Sequence, residues 1–489
     1  MNVYSRLYVD NDGDIKLAVD RGGEKKEFKI IDFYDEQYYK ELDEVSLSFS
    51  RFRSEYINEL FVYYKEKIVF YKIVLERIGV GFLDLNNYSG DDHLFWIQAA
   101  RDVKGKRIKV DYGRAKIVTD VVKFTVTSIV YFLLSLGYCA ISTIFHLLYY
   151  KKFTKNTRNV FIIRTFASES KLKRYSKNFN NKEFLYDSIN TIKPNSVFCY
   201  GGLGFRLIAL FKLVFMSLKD IWSVVIISKK CVGVYLIPEI IKFYSKRFPH
   251  TNMFKVFFEF YVKNNSESIF FTGDMLDRFA LIEEDIIRKY NSKLICVPHG
   301  IEWGYRLPRE YVGDIFYTTT KKSCEILKSI YCSEKFRFDK NVTKSLFQIS
   351  ELHSGHSHQF IFFTQPDDIK TNKEIIKLLV DGLGEGKILY LKLHPRDRIE
   401  NYNEIKDNVK IVRETDGYIV NNICIARTST VLLEAVHNNS VAISFLINNK
   451  DNIDVNYKYI SIGDETISKV RSIKEMELVL GNILRAPRG

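Results

Sequence analysis

Three short stretches carry side chains able to hold, and react with, a phosphorylated ligand. Val297-Pro298-His299-Gly300 follows an apolar run at 294–297, and Lys392-Leu393-His394-Pro395-Arg396 ends another at 388–393. Ala426-Arg427-Thr428-Ser429-Thr430 follows a third run, 422–426, and opens the apolar stretch 431–436. Open parallel α/β sheets hold phosphorylated ligands with such groups, placed where strands end and helices begin. The pattern points to chemistry on a nucleotide-activated substrate.

In the second stretch, strand alternation turns Lys392 and His394 to one side, and Pro395 breaks the strand so that His394 sits on a fixed turn. A histidine there donates a hydrogen bond to a leaving phosphate or protonates it, while Arg396 offers a planar fork to phosphate oxygens. In the third, Thr428, Ser429 and Thr430 supply hydroxyls and backbone N–H groups at a helix N-terminus beside Arg427, an anion site. Glu434, four residues past Thr430, faces the same crevice and can accept from ribose hydroxyls. In the first, Gly300 lets the backbone come close to a ligand, and His299 or Glu302 can take the proton of an attacking hydroxyl. Asp274 closes a further strand end as another base candidate, and Arg278 nearby is a secondary site candidate, with plain pairing to Asp277 as its alternative.

Strands and helices alternate from residue 157 onward. The first series has strands at 159–164, 196–200, 268–272, 294–297 and 314–318, with helices at 203–227, 277–290 and 321–329. The second has strands at 360–364, 388–393, 409–412, 422–426 and 441–445, with helices at 372–383 and 430–438. Such alternation calls for parallel sheets with helices on both faces. Two Rossmann-like domains follow, 157–335 on the acceptor side and 360–489 on the donor side. A polar linker at 336–359 joins them, with a ligand cleft between.

Residues 1–119 read as a separate α+β module, with short antiparallel strands at 3–9, 15–19 and 28–33 and a helix over 54–77. Segment 120–156 contains a run, 124–149, without formal charge, preceded by Lys123 and followed by Lys151 and Lys152. It is long enough to cross a bilayer, which takes roughly 20 apolar residues. A single span, a re-entrant or interfacial hairpin bent near Gly137, and a buried helix pair are the three readings. Positive charge on both flanks favours the hairpin. The run 203–227 reads as a core helix, with a membrane-facing surface as its alternative.

The chain of 489 residues carries a net charge of +14, with nearly all the excess beyond residue 119. No zinc-finger spacing, RNP-like motif or long Lys/Arg run accompanies it, so an anionic membrane surface and a nucleotide-sugar fit better than nucleic acid. The 37 Phe and 31 Tyr suit large cores and a body resting on a membrane. Seven scattered cysteines without a CxxC pair read as free thiols in a reducing compartment. The N-terminus lacks a signal-peptide plan; the need for cytosolic nucleotide sugar makes the cytoplasmic face of the plasma membrane the expected location. Neither metal nor cofactor is expected: P-loop, GxGxxG and GxSxG motifs are missing from the sequence. Asp10-Asn11-Asp12-Gly13-Asp14 has its glycine misplaced for a calcium loop and reads as a hairpin turn. His353, His356 and His358 read as a solvated loop.

Lys392-Leu393-His394-Pro395 resembles the HP motif, and Arg427-Thr428-Ser429-Thr430 with Glu434 the Ser/Thr motif, of the GT-B glycosyltransferases that build bacterial capsules and surface polysaccharides. The likeness is strongest to the metal-independent sialyl- and Kdo-transferase type, with the CDP-glycerol glycerophosphotransferases as cousins. The segment from Asp277-Arg278 to Val297-Pro298-His299-Gly300 looks like the one ending in the family's HG motif. The resemblance covers roughly residues 157–480. It implies that His394 with Ser429 and Thr430 binds the nucleotide phosphate and that the first domain supplies the base. One departure stands out: the acidic-acidic-glycine base motif of the sialyltransferases has no clean copy in the first domain, and Glu385-Gly386 falls in the second. The implied activity is inverting transfer of a sugar, from a CMP-linked donor by preference, to a lipid-linked or polymeric glycan. A CDP-glycerol-type glycerophosphotransferase, a UDP-sugar 2-epimerase and a non-catalytic assembly scaffold are the alternatives.

Overall fold

The computed structural model describes residues 3–11, 13–105, 107–153, 158–187, 195–349, 359–366, 368–383, 387–405, 408–412 and 418–485. Glu385-Gly386, the three histidines at 353, 356 and 358, and Asp12 of the Asp-rich turn lie outside them. The chain forms two compact units. One is Met1–His299 with Arg306–Phe316; the other is Gly300–Tyr305 with Tyr317–Gly489.

The N-terminal sheet holds β1 (Tyr4–Val9), β2 (Ile15–Arg21), β3 (Glu24–Lys29), β4 (Phe82–Asp84) and β5 (Lys109–Asp111), in the order β3-β2-β1-β4-β5. It is mixed: β1 pairs antiparallel with β2 but parallel with β4. The expected strand at 28–33 is the end of β3 followed by a 3-10 turn, Ile30–Phe33.

The second sheet holds β6 (Asn159–Ile163), β7 (Lys182–Tyr186), β8 (Ile269–Thr272), β9 (Lys293–Cys296), β10 (Ile315–Tyr317) and β11 (Phe336–Arg337). Its order is β11-β10-β9-β8-β6-β7, so the chain reverses direction between β6 and β8. Phe161 and Phe271 are register partners there, stacked with centroids 4.7 Å apart. Residues 197–199 form a 3-10 turn instead of the expected strand, and the strand beside β6 is β7. Lys182 and Glu183 had masked its apolar signal. The stretch expected as a linker holds β11 and the helix Lys340–Phe347, capped by Asp339.

The third sheet holds β12 (Phe360–Phe363), β13 (Leu389–Lys392), β14 (Val409–Val412), β15 (Ile423–Ala426), β16 (Val441–Phe445) and β17 (Ser468–Val470). Its order, β14-β13-β12-β15-β16-β17, is the doubly wound 3-2-1-4-5-6 arrangement, with the reversal between β12 and β15. Both faces are covered, which explains the unbroken apolar run of β12: Phe360 and Phe362 pack into one core, Ile361 and Phe363 into the other. The protein is thus α/β and GT-B-like in carrying two Rossmann-type parallel sheets in series behind a mixed N-terminal sheet.

The apolar segment is one continuous helix, Arg114–Phe145, which passes straight through Gly137. The expected hairpin does not form. A helical glycine costs only about 1 kcal/mol relative to alanine, and packing on the helices Ile237–Ser245 and Phe248–Asn264 holds the rod together. Nor is it a buried pair. By length and composition the stretch Ala115–Tyr149 could cross a membrane, and only 22% of its most apolar window is buried. Leu203–Ile227 is a helix as expected, yet only its Arg206–Ala209–Leu213–Ser217 side is buried. The opposite side exposes Phe211, Phe215 and Trp222.

Candidate functional site

The reversal between β12 and β15 opens a crevice beyond the C-terminal ends of these strands, the usual ligand position in a doubly wound sheet. A cavity of about 510 Å³ lies there, within the size range of small-ligand sites. His394, Arg396, Arg427, Thr428, Ser429 and Thr430, six residues singled out from the sequence, line it. Lys392, Pro395 and Glu434 do not, although all three lie on the same strand ends and helix.

His394 is fixed by its own turn. Its backbone N–H donates to Thr364 Oγ1 (3.0 Å), and Asp397 N–H donates to its carbonyl (2.8 Å). The Arg396 backbone N–H donates to His394 Nδ1 (3.1 Å), which makes Nδ1 an acceptor and places the ring proton on Nε2. The imidazole is therefore set up as an Nε2–H donor. Asp397 organises this turn by accepting from Thr364 Oγ1 (2.8 Å), Asn401 Nδ2 (2.9 Å) and Tyr402 Oη (2.6 Å). Sequence reading passed over it, though it directly follows Arg396.

Arg427 differs from its expected role. Its Nε and Nη2 donate to Asp451 (2.6 and 2.9 Å), and Nη2 also reaches Asp368 (3.1 Å). The guanidinium is committed to the protein's own carboxylates, Asp451 and Asp368, which line the cavity with it. Thr428 Oγ1 accepts from Gln365 Nε2 (2.8 Å), which ties the loop after β15 to the loop after β12. The helix that follows, Val431–His437, has only two turns, and Thr430 makes no side-chain cap. Hydroxyl groups, His394 and Arg396 border the cavity beside Lys450, which pairs with Asp454 (2.7 Å).

Asp368 is a second hub. Burial pushes its carboxyl up, but hydrogen bonds from Thr371 and the charge of Arg427 outweigh that and hold it below the ordinary aspartate value. A carboxylate with a depressed folded value adds stability above about pH 4 and loses it as pH falls further. The midpoint for denaturant unfolding should therefore fall between pH 6 and pH 3. Asp368→Asn should flatten that slope; an unchanged slope would show that Asp368 takes no part in it.

Glu302 does not face the cavity. Its neighbours Ile301 and Trp303 line the cavity, while Glu302 itself does not. Its carboxylate, fully buried, accepts from Thr319 N, Thr319 Oγ1 and Ser461 Oγ, each at 2.6 Å. Burial still pushes its carboxyl above the usual glutamate value. These contacts staple residues 300–305 to the second unit, and Gly300 is a bend at the start of that segment.

In the first unit, strand ends bring together Arg164 after β6, Asp187 after β7, Gly273-Asp274 after β8 and His299 after β9. Arg164 pairs with Asp274 (2.7 Å) and Asp277 (2.9 Å). Asp277 also caps the helix Arg278–Lys289, accepting from Phe279 N and Ala280 N. Arg278 pairs with Glu59 (2.7 Å) and donates to Thr251 Oγ1 instead of pairing with Asp277, and so ties residue 59 to the helix Arg278–Lys289 within the first unit.

His299 Nδ1 lies 2.6 Å from the Gly273 carbonyl, which only accepts, so the proton sits on Nδ1 and Nε2 carries the lone pair. Asp274 Oδ1 is 3.7 Å from the same nitrogen. A Cβ at position 273 would sit 3.0 Å from Ser168 Cβ and 3.7 Å from His299 Cβ, so glycine permits this approach. The two histidines are thus held in opposite tautomers, His394 as a donor and His299 as an acceptor.

No family model matches the chain, and neither does any curated protein. Among solved structures the chain is similar to a crystal structure of UDP-N-acetylglucosamine 2-epimerase, with a TM-score of 0.38 and 10% identity over 68% of this chain and 88% of that one. At that distance the likeness carries no argument about activity, and the fold assignment rests on the strand orders above.

Proposed function

We propose that the protein is a membrane-associated glycosyltransferase, metal-independent and inverting, that uses a nucleotide-activated sugar, by preference CMP-linked. The carrying observation is the cavity at the β12/β15 reversal, where an Nε2–H donor, an arginine fork and three hydroxyl side chains converge. The nucleotide phosphate lies against Arg396, Ser429 and Thr430, and Trp303 and Tyr459 offer apolar surface to the base or ribose. His394 Nε2–H donates to the phosphate oxygen on which charge grows as the glycosidic bond breaks. The acceptor hydroxyl attacks the opposite face of the anomeric carbon as its proton passes to a base, the role the sequence offers for His299.

Incubation of purified protein with CMP-, CDP-, UDP- and GDP-linked donors, with nucleotide release as readout, tests this. Release from a CMP-sugar is expected. Release from CDP-glycerol instead would favour the glycerophosphotransferase reading, and release from none would favour a scaffold. His394→Ala should lower turnover about 10²–10³-fold, the usual loss for one transition-state donor. Unchanged turnover in a folded variant would sink the assignment of His394.

A further inference from the structure

We propose that the helices Arg114–Phe145 and Leu203–Ile227 together form an in-plane docking face that enters one leaflet of an anionic bilayer without crossing it. The proposal deepens the membrane part of the function above and stands apart from its chemistry. The first helix has 32 residues and runs about 48 Å, well beyond the ~30 Å hydrocarbon core. One side is packed along most of that length. Lys242 Nζ stands 4.8 Å from the Phe124 ring centre and Lys246 Nζ 5.9 Å from that of Tyr131. Ser135 Oγ donates to the Lys246 carbonyl, and Thr143 Oγ1 touches Met253 Sδ.

The other side is bare and apolar. Val122, Val126, Ile129, Leu133 and Ile144 are exposed on the first helix, at successive spacings of four, three, four and eleven residues, which keep them on one side. Ile208, Phe211, Phe215, Leu218 and Trp222 repeat the pattern on the second, with Trp222 68% exposed. The two faces are continuous: Ile129, Phe132 and Leu133 share an apolar groove of about 410 Å³ with Leu218, Ile221 and Ile241.

Charge selects both the occupant and the orientation. Exposed Lys123, Lys212 and Lys219 directly follow face residues, where their stems can lie along the apolar surface with ammonium groups at headgroup level. The acids of these helices are turned inward: Asp120 pairs with His93, and Asp220 accepts from Tyr56 and Asn252. A transmembrane placement would carry Lys242 and Lys246, packed beside the helix midsection, to hydrocarbon depth, which is costly. An in-plane placement keeps them on the protein side.

The test adds full-length protein to preformed vesicles. Flotation should recover it with phosphatidylglycerol-containing vesicles and far less with phosphatidylcholine alone. Lys212→Glu with Lys219→Glu should weaken binding at least about tenfold, and Phe211→Ser with Phe215→Ser should abolish it. Lipids brominated on the acyl chain should quench Trp222, a signal lost in Trp222→Phe. In a Cys332→Ser background, Lys116→Cys and Leu148→Cys should both react with an impermeant maleimide from outside. Failure to float, an unquenched Trp222 or protection of one helix end would overturn the proposal. So would a lipid-free dimer that Phe215→Ser dissociates, which would assign the face to a second copy. None of these outcomes bears on nucleotide release, so the two readings fail separately.

Discussion

Replacement of Arg427 by alanine is expected to destabilise the second unit by about 3–5 kcal/mol, the usual cost of removing one partner of a buried ion pair. The side chain is almost wholly buried, and Asp451 beneath it is equally so, with side-chain exposures of 5% and 3%. Alanine leaves the Asp451 carboxylate without its two guanidinium bonds, and Asp368 loses a third. A loss of that size is a large share of the 5–15 kcal/mol that holds a domain together. The double change Arg427→Met with Asp451→Leu removes both charges and should recover most of it. Chemical denaturation of all three proteins measures the effect. An unchanged midpoint for Arg427→Ala would mean that the clamp contributes nothing. This expectation separates Arg427 from Ser429 and Thr430: their replacement by alanine should weaken nucleotide binding and leave the midpoint nearly in place.

The same residue shows what the sequence could and could not convey. Arg427-Thr428-Ser429-Thr430 was legible as a strand-to-helix loop because β15 is apolar on both faces and ends abruptly in polar residues. The carboxylates that claim the guanidinium were not legible. Asp451 lies 24 positions later, beyond β16, and Asp368 59 positions earlier, past the end of β12. Their meeting depends on the 3-2-1-4-5-6 strand order, which periodicity does not encode. Asp397 was within reach, since a carboxylate directly after a His-Pro-Arg turn is well placed to accept from it. The long helix was legible in length and hydropathy, but whether Gly137 bends it depends on what packs alongside. Glu302 was not legible: that its neighbours line the cavity while its own carboxylate meets Thr319 and Ser461 is visible only in the folded chain.

That geometry sets up the second large effect. Within the proposed transfer reaction, His299→Ala should lower kcat about 10²–10⁴-fold, the range general-base catalysis supplies, with donor affinity unchanged. The Gly273 carbonyl holds the proton on Nδ1, so Nε2 is the basic nitrogen without any rearrangement. When Nε2 accepts the acceptor's proton, the buried Asp274 carboxylate 3.7 Å from Nδ1 offsets the new charge on the ring. Asp274→Asn should accordingly lower turnover less than His299→Ala, and added imidazole should restore part of the activity of His299→Ala. Glu302→Gln makes the contrasting case. Its carboxylate accepts three hydrogen bonds, and an amide cannot replace all of them, so the variant should lose about 1–3 kcal/mol of stability. The folded fraction should still turn over at the parent rate, because a carboxylate held by Thr319 and Ser461 has no lone pair directed at a substrate. If folded Glu302→Gln loses activity and His299→Ala keeps it, the base has been assigned to the wrong residue.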